Sequence, residues 1–187
     1  MRRSIGHFAG TAALGLSFSI ISGSLHAQSP SANQGAKQML ASADTAFAMK
    51  AAQGGLAEVQ LGKMAAEKGS DPDVKAFGQQ MVDDHTKAGD QLKAVAQQEN
   101  MTLPETLNSK DQAIYDRLSK LSGAAFDKAY IADMVKDHEM DVKEFQKEAT
   151  HGKDSNIKNF ASQTLPVLEG HLDKAKSIHS KMGGSSK

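Results

Sequence analysis

The segments DPDVKAFGQQ (residues 71–80) and DSNIKNFASQ (residues 154–163) decide the fold. Both open on an Asp suited to cap a helix N-terminus, and in the first a Pro at position 72 suits the first helical turn. Asp, an aliphatic residue, Lys, Phe and Gln then recur at matching places. The same offset aligns Gly69 with Gly152, Val59 with Val142 and Phe47 with Tyr130. A repeat of this length is one helical hairpin written twice.

Working outward, five helices are expected. They span about Ala43 to Lys68, Asp71 to Glu99, Ser109 to Leu121, Ala124 to Thr150, and Asp154 to Met182. Pro166 lies inside the last and is expected to kink or break it. Apolar residues recur every three or four positions, as helix burial requires. Examples are Val74, Phe77, Met81, Leu92 and Val95, then Phe126, Tyr130, Met134 and Phe145. Gly54-Gly55, inside the first helix, reads as a site of close helix packing. The expected fold is all-α: a ferritin-like antiparallel four-helix bundle of two repeated hairpins, with a short helix in the crossover.

Arg2 and Arg3 precede an apolar run, Phe8 to Ile21, and then small residues up to Ala27. This is the pattern of a secretory signal peptide over residues 1–27, too short to span a bilayer comfortably. Residues 28–42 read as a flexible lead-in, 43–182 as the bundle and 183–187 as a disordered tail. The whole chain has 22 basic and 22 acidic residues; removing 1–27 takes away two Arg and no acid. That balance gives no case for nucleic acid or an anionic membrane. There is no Cys, hence no disulfide and no thiolate metal site. No later segment reads as transmembrane, so the expected location is the periplasm or cell envelope, with peripheral attachment and a protein partner left open. The many Met at helical spacing read as core filler rather than a copper site.

Polar residues interrupt the apolar stripes at mid-helix. They are Glu58 on the first helix, His85 on the second, His138 and Asp141 on the fourth, and His171 on the fifth. Helices of equal length bring them to one level. Buried ionisable groups must pair or bind a cation. Imidazole with carboxylate suits Fe, Mn or Zn. A hydrogen-bonded layer without metal, fixing the register of the bundle, meets the same requirement. Asp84 and Asp137, each just before a His, are expected at the seam's edge or outside it, where they can orient a neighbour.

The blocks FAMKAAQGGLAEVQLGKMAAEKGSDPDVKAFGQQMVDDH (47–85), MVKDHEMDVKEF (134–145) and LPVLEGHLDKA (165–175) carry a resemblance. Together they resemble the exported bacterial family catalogued as domain of unknown function 4142, often labelled an outer membrane protein. The resemblance implies a ferritin-like fold and no established activity. Ferritin-like di-metal proteins pair one Glu on each of two helices with a Glu-x-x-His on each of the other two. Glu58 and Asp141 match the first pair, and His85 and His171 match the two His. Val82 and Leu168 stand where the motif's Glu would be, which argues against a di-iron oxidase. Two functions follow as expectations: a non-enzymatic structural or interaction protein of the envelope, first, and a metal-binding protein linked to metal or oxidative stress, second. No catalytic residue is legible.

Overall fold

Helix-favouring composition and well-placed caps produce five helices in the computed structural model, which describes residues 32–184, with side chains for 43–183. They are α1 (Ala32–Lys68), α2 (Pro72–Gln98), α3 (Ser109–Ser119), α4 (Gly123–His151) and α5 (Ser155–Gly184). No strand occurs among the described residues. The expected signal peptide and the end of the expected tail lie outside them. Asp71 caps α2 by accepting from the Asp73 N–H at 2.7 Å. Asp154 caps α5 by accepting from the N–H groups of Asn156 and Ile157, both at 3.0 Å.

Three boundaries differ from expectation. The first helix begins at Ala32, not near Ala43, because no Pro separates the lead-in from the helix. The last helix reaches Gly184, into the expected tail. It also runs through Pro166 without a break. Pro166 leaves the Ser162 carbonyl without its helical donor. Both residues lie on the exposed face, where the carbonyl is open to solvent.

The heaviest packing is α1 on α2 and α4 on α5, with α2–α5 and α1–α4 contacts joining the pairs. Two apolar clusters result. One gathers Leu61, Phe77, Met81, Phe126, Tyr130 and Ile178. The other gathers Ala48, Leu92, Phe145, Ile157, Phe160 and Leu168. Along α2, α4 and α5, His85, His138 and His171 fall between the residues of these two clusters. Each buried side chain of this kind contributes roughly 1.5–3 kcal/mol by leaving water.

Glycine placement corrects one expectation. The close approach of α1 and α2 is at Gly62 and Gly78, not at Gly54-Gly55. A Cβ on Gly62 would lie 2.7 Å from the Gly78 carbonyl oxygen, and a Cβ on Gly78 equally close to that of Gly62. At Gly54, Gly55 and Gly89 an added Cβ meets nothing within 4 Å. Opposite outcomes are therefore expected on urea unfolding. Gly89→Ala should stabilise by about 0.5–1 kcal/mol through lost unfolded-state freedom. Gly78→Ala should destabilise by about 1–3 kcal/mol, because the obstacle is backbone that cannot swing aside. Equal signs for the two substitutions would refute this assignment of the contact.

Candidate metal centre

Glu58 from α1, His85 from α2, His138 from α4 and His171 from α5 meet in the interior, at 1, 6, 0 and 1 % exposure. They reach one place because each interrupts its helix's buried stripe near mid-length. One ring nitrogen of each His lies within 4.8 Å of one on each of the others.

The hydrogen bonds fix how each imidazole is used. His138 Nδ1 lies 3.0 Å from the Met134 carbonyl oxygen. A carbonyl only accepts, so Nδ1 carries the proton and Nε2 presents a lone pair. His171 Nε2 lies 2.8 Å from Asp84 Oδ2. It donates to that carboxylate, leaving a lone pair on Nδ1. These two lone pairs, His138 Nε2 and His171 Nδ1, face each other at 3.3 Å. With both rings neutral in these tautomers, no proton lies between them. His85 Nδ1 lies 2.9 Å from Glu58 Oε2. Its other nitrogen, Nε2, is buried without a partner. When Glu58 is ionised, Nδ1–H donates to it, and Nε2 becomes the third free lone pair.

Electrostatics favour neutral imidazoles, whereas they hold Glu58 protonated until a positive charge sits beside it. Burial lowers the pKa of all three imidazoles, His85 to about 4, so they are neutral at pH 7. Burial pushes Glu58 up to about 8, partly opposed by His138. Glu58 Oε1 is 3.4 Å from His138 Nε2 without hydrogen-bonding geometry, and it has no partner. Tyr130 Oη is also buried and unpartnered. Burial, followed by the charge of Glu58, raises the pKa of this phenol. A buried carboxylate oxygen, imidazole nitrogen and phenol oxygen without a protein partner leave room for a polar or charged occupant, water included.

Asp141 does not join the three imidazoles. It clusters with Glu58 and Asp137, one oxygen of each within 4.8 Å of the others. Burial, then the charge of Glu58, pushes Asp141 up to about 9, and burial raises Asp137 as well. Glu58 therefore belongs to a carboxylate group while also holding His85. Asp84, expected at the seam's edge, reaches back to orient His171. Burial raises its pKa, but hydrogen bonds from His171 and Gln80 outweigh that and hold it low.

The sequence profile of the family described as Domain of unknown function (DUF4142) matches residues 29–178. The chain belongs to the DUF4142 family. No curated protein matches it. Among solved structures, the DUF4142 chain is similar to one titled "Crystal structure of DUF305 fragment from Deinococcus radiodurans". The TM-score is 0.66 at 12 % identity, covering 74 % of this chain and 96 % of that one. At that identity the likeness concerns the fold alone. No helix of the described residues is long and apolar enough to cross a membrane.

Proposed function

We propose that this DUF4142 chain is an exported, non-enzymatic protein that holds one divalent transition-metal ion, zinc, iron or manganese, inside a ferritin-like four-helix bundle. One observation carries the reading: three neutral imidazoles converge, each with its other ring nitrogen bonded to a carboxylate or carbonyl. That outer arrangement is how proteins fix the tautomer of metal-binding His. The ligands are His85 Nε2, His138 Nε2 and His171 Nδ1, with Asp84, the Met134 carbonyl and Glu58 holding the rings. The two hairpins and the crossover position of α3 support the ferritin-like assignment. Export is supported by the Arg2-Arg3 and Phe8–Ile21 pattern and by a family match that starts just past Ala27. A purely structural layer, the first expectation from sequence, leaves the facing lone pairs unexplained. Val82 and Leu168, in place of bridging carboxylates, argue against di-iron oxidation.

Titration calorimetry with zinc, in buffers of different ionisation enthalpy, tests this. One site per chain is expected, with about one proton released at pH 7. The proton comes from Glu58, protonated in the metal-free core and ionised once a cation sits beside it. The imidazoles release none. Affinity should rise with pH up to about 8 and level off above it. Without metal the sign reverses for stability. A carboxyl raised in the folded state stabilises fully below its unfolded value of 4.5, and that contribution is lost as pH rises through about 8. Binding below about a tenth of an equivalent, or no proton release, would sink the proposal.

A further inference from the structure

A cavity of about 240 Å³ lies beside the imidazoles, between α1, α2, α4 and α5. Phe47, Leu92, Phe145 and Phe160 form its apolar wall, and Glu58, His85 and Asp141 also line it. Its origin is visible in the repeat. The offset that pairs Glu58 with Asp141 pairs His138 with Gly55, His171 with Ala88 and His85 with Leu168. Gly55, Ala88 and Leu168 all line the cavity. The cavity is thus the second half of a pseudo-symmetric core, in which small or apolar residues stand where the first half has imidazoles. Gly54, Gly55 and Gly89 border it with open space around each. Interior glycines weaken a helix. Here no close helix contact offsets that loss; what they provide is room.

Of the four carboxylates on the lining, Glu144 pairs with Lys50 and Asp90 with Lys93, which leaves Glu58 and Asp141 to carry the chemistry. Glu58, Asp137 and Asp141 converge within 4.8 Å, and no ion pair is formed by Asp137 or Asp141 among the described residues. Glu58 Oε1 is buried and unpartnered. Three crowded carboxyl groups at the end of an apolar chamber suit a positively charged head on an apolar body. The space holds more than a single water and suits a small organic molecule.

We infer that this cavity binds a compact organic amine, its ammonium among Glu58, Asp137 and Asp141 and its apolar body against the phenylalanines. The metal proposed above is held by imidazole nitrogens, so the amine site does not require it.

The probe is phenethylamine, titrated into protein purified after export from cells expressing the full chain, once with EDTA and once saturated with zinc. Binding of the amine is expected in both conditions. The neutral analogue 2-phenylethanol should bind at least about tenfold more weakly, an ordinary effect for a lost buried charge partner. Gly55→Leu, which fills the cavity, and Asp141→Asn, which removes a carboxyl group able to ionise beside an ammonium, should each weaken amine binding at least about tenfold while thermal unfolding stays cooperative. Failure of zinc to bind would leave the EDTA titration standing, which separates the two proposals. Amine and alcohol binding alike, an unaffected Gly55→Leu variant, no amine binding at millimolar concentration, or a second zinc ion competing with the amine would each overturn the inference. The last result would assign the acids to a cation site instead.

Discussion

His138→Ala should abolish zinc uptake, with affinity reduced more than about a hundredfold. Loss of an outer-shell partner alone typically costs 10–100-fold, and His138 is itself a proposed ligand. It is the innermost member of the site, at 0 % exposure. Its Nε2 faces both His171 Nδ1 and Glu58 Oε1. The thermal consequence is equally direct. Zinc at a hundred times its Kd stabilises the folded chain by about 2.7 kcal/mol. For a domain of this size, that raises Tm by about 5–10 °C. In His138→Ala the zinc-induced rise should vanish, whatever the substitution does to the metal-free protein. Asp84→Asn gives the graded comparison. The amide still bonds His171 but cannot bear charge, so affinity should fall about 10–100-fold with stoichiometry kept. Bound zinc measured by mass spectrometry, together with calorimetric melting, reads both. A full zinc-induced rise in His138→Ala would end the three-imidazole assignment.

The four members of this site were legible because each violates a pattern. A His or Glu at a position where the helical period demands an apolar residue is conspicuous, and mid-helix height follows from equal helix lengths. What periodicity does not carry is side-chain reach. Asp84 starts about 100° around α2 from His85, yet its carboxylate lies on His171 of α5. The choice of Nδ1 or Nε2 depends on such partners and so stayed hidden as well. Asp141 fell on the correct face but on the carboxylate side of Glu58, a distinction that needs the interhelical distance. The glycines show the same limit. Gly54-Gly55 and Gly62 sit alike inside a helical pattern, and only the crossing of α1 with α2 shows that Gly62 meets Gly78. The repeat itself held more than its helix starts. The offset from Asp71 to Asp154 also carries Asp44 onto Asp127, and this pair proves to join the hairpins.

Asp127→Ala should be the most damaging single change outside the candidate site, costing about 3 kcal/mol. The carboxylate of Asp127, at the start of α4, is buried. It accepts from the N–H groups of Ser70 at 3.0 Å and Asp71 at 2.9 Å, and from the Ser70 hydroxyl. One hairpin thereby closes the turn that starts α2 in the other. Asp44 does the reverse, accepting from the N–H groups of Lys153 at 2.9 Å and Asp154 ahead of α5. Removing such a carboxylate orphans two backbone donors in a partly buried turn. Each costs about 1–3 kcal/mol, with water recovering some of it. At about 2–4 °C per kcal/mol, Tm should fall by about 6–12 °C. Asp44→Ala should cost about as much. The two pairs serve the starts of different helices and share no partner, so the double variant should be additive within about 0.5 kcal/mol. Asp127→Asn should cost less, because its amide oxygen still accepts. Zinc stoichiometry should survive in all of them, since neither Asp touches the imidazoles. A loss under about 0.5 kcal/mol in Asp127→Ala would mean that apolar packing alone fixes one hairpin on the other.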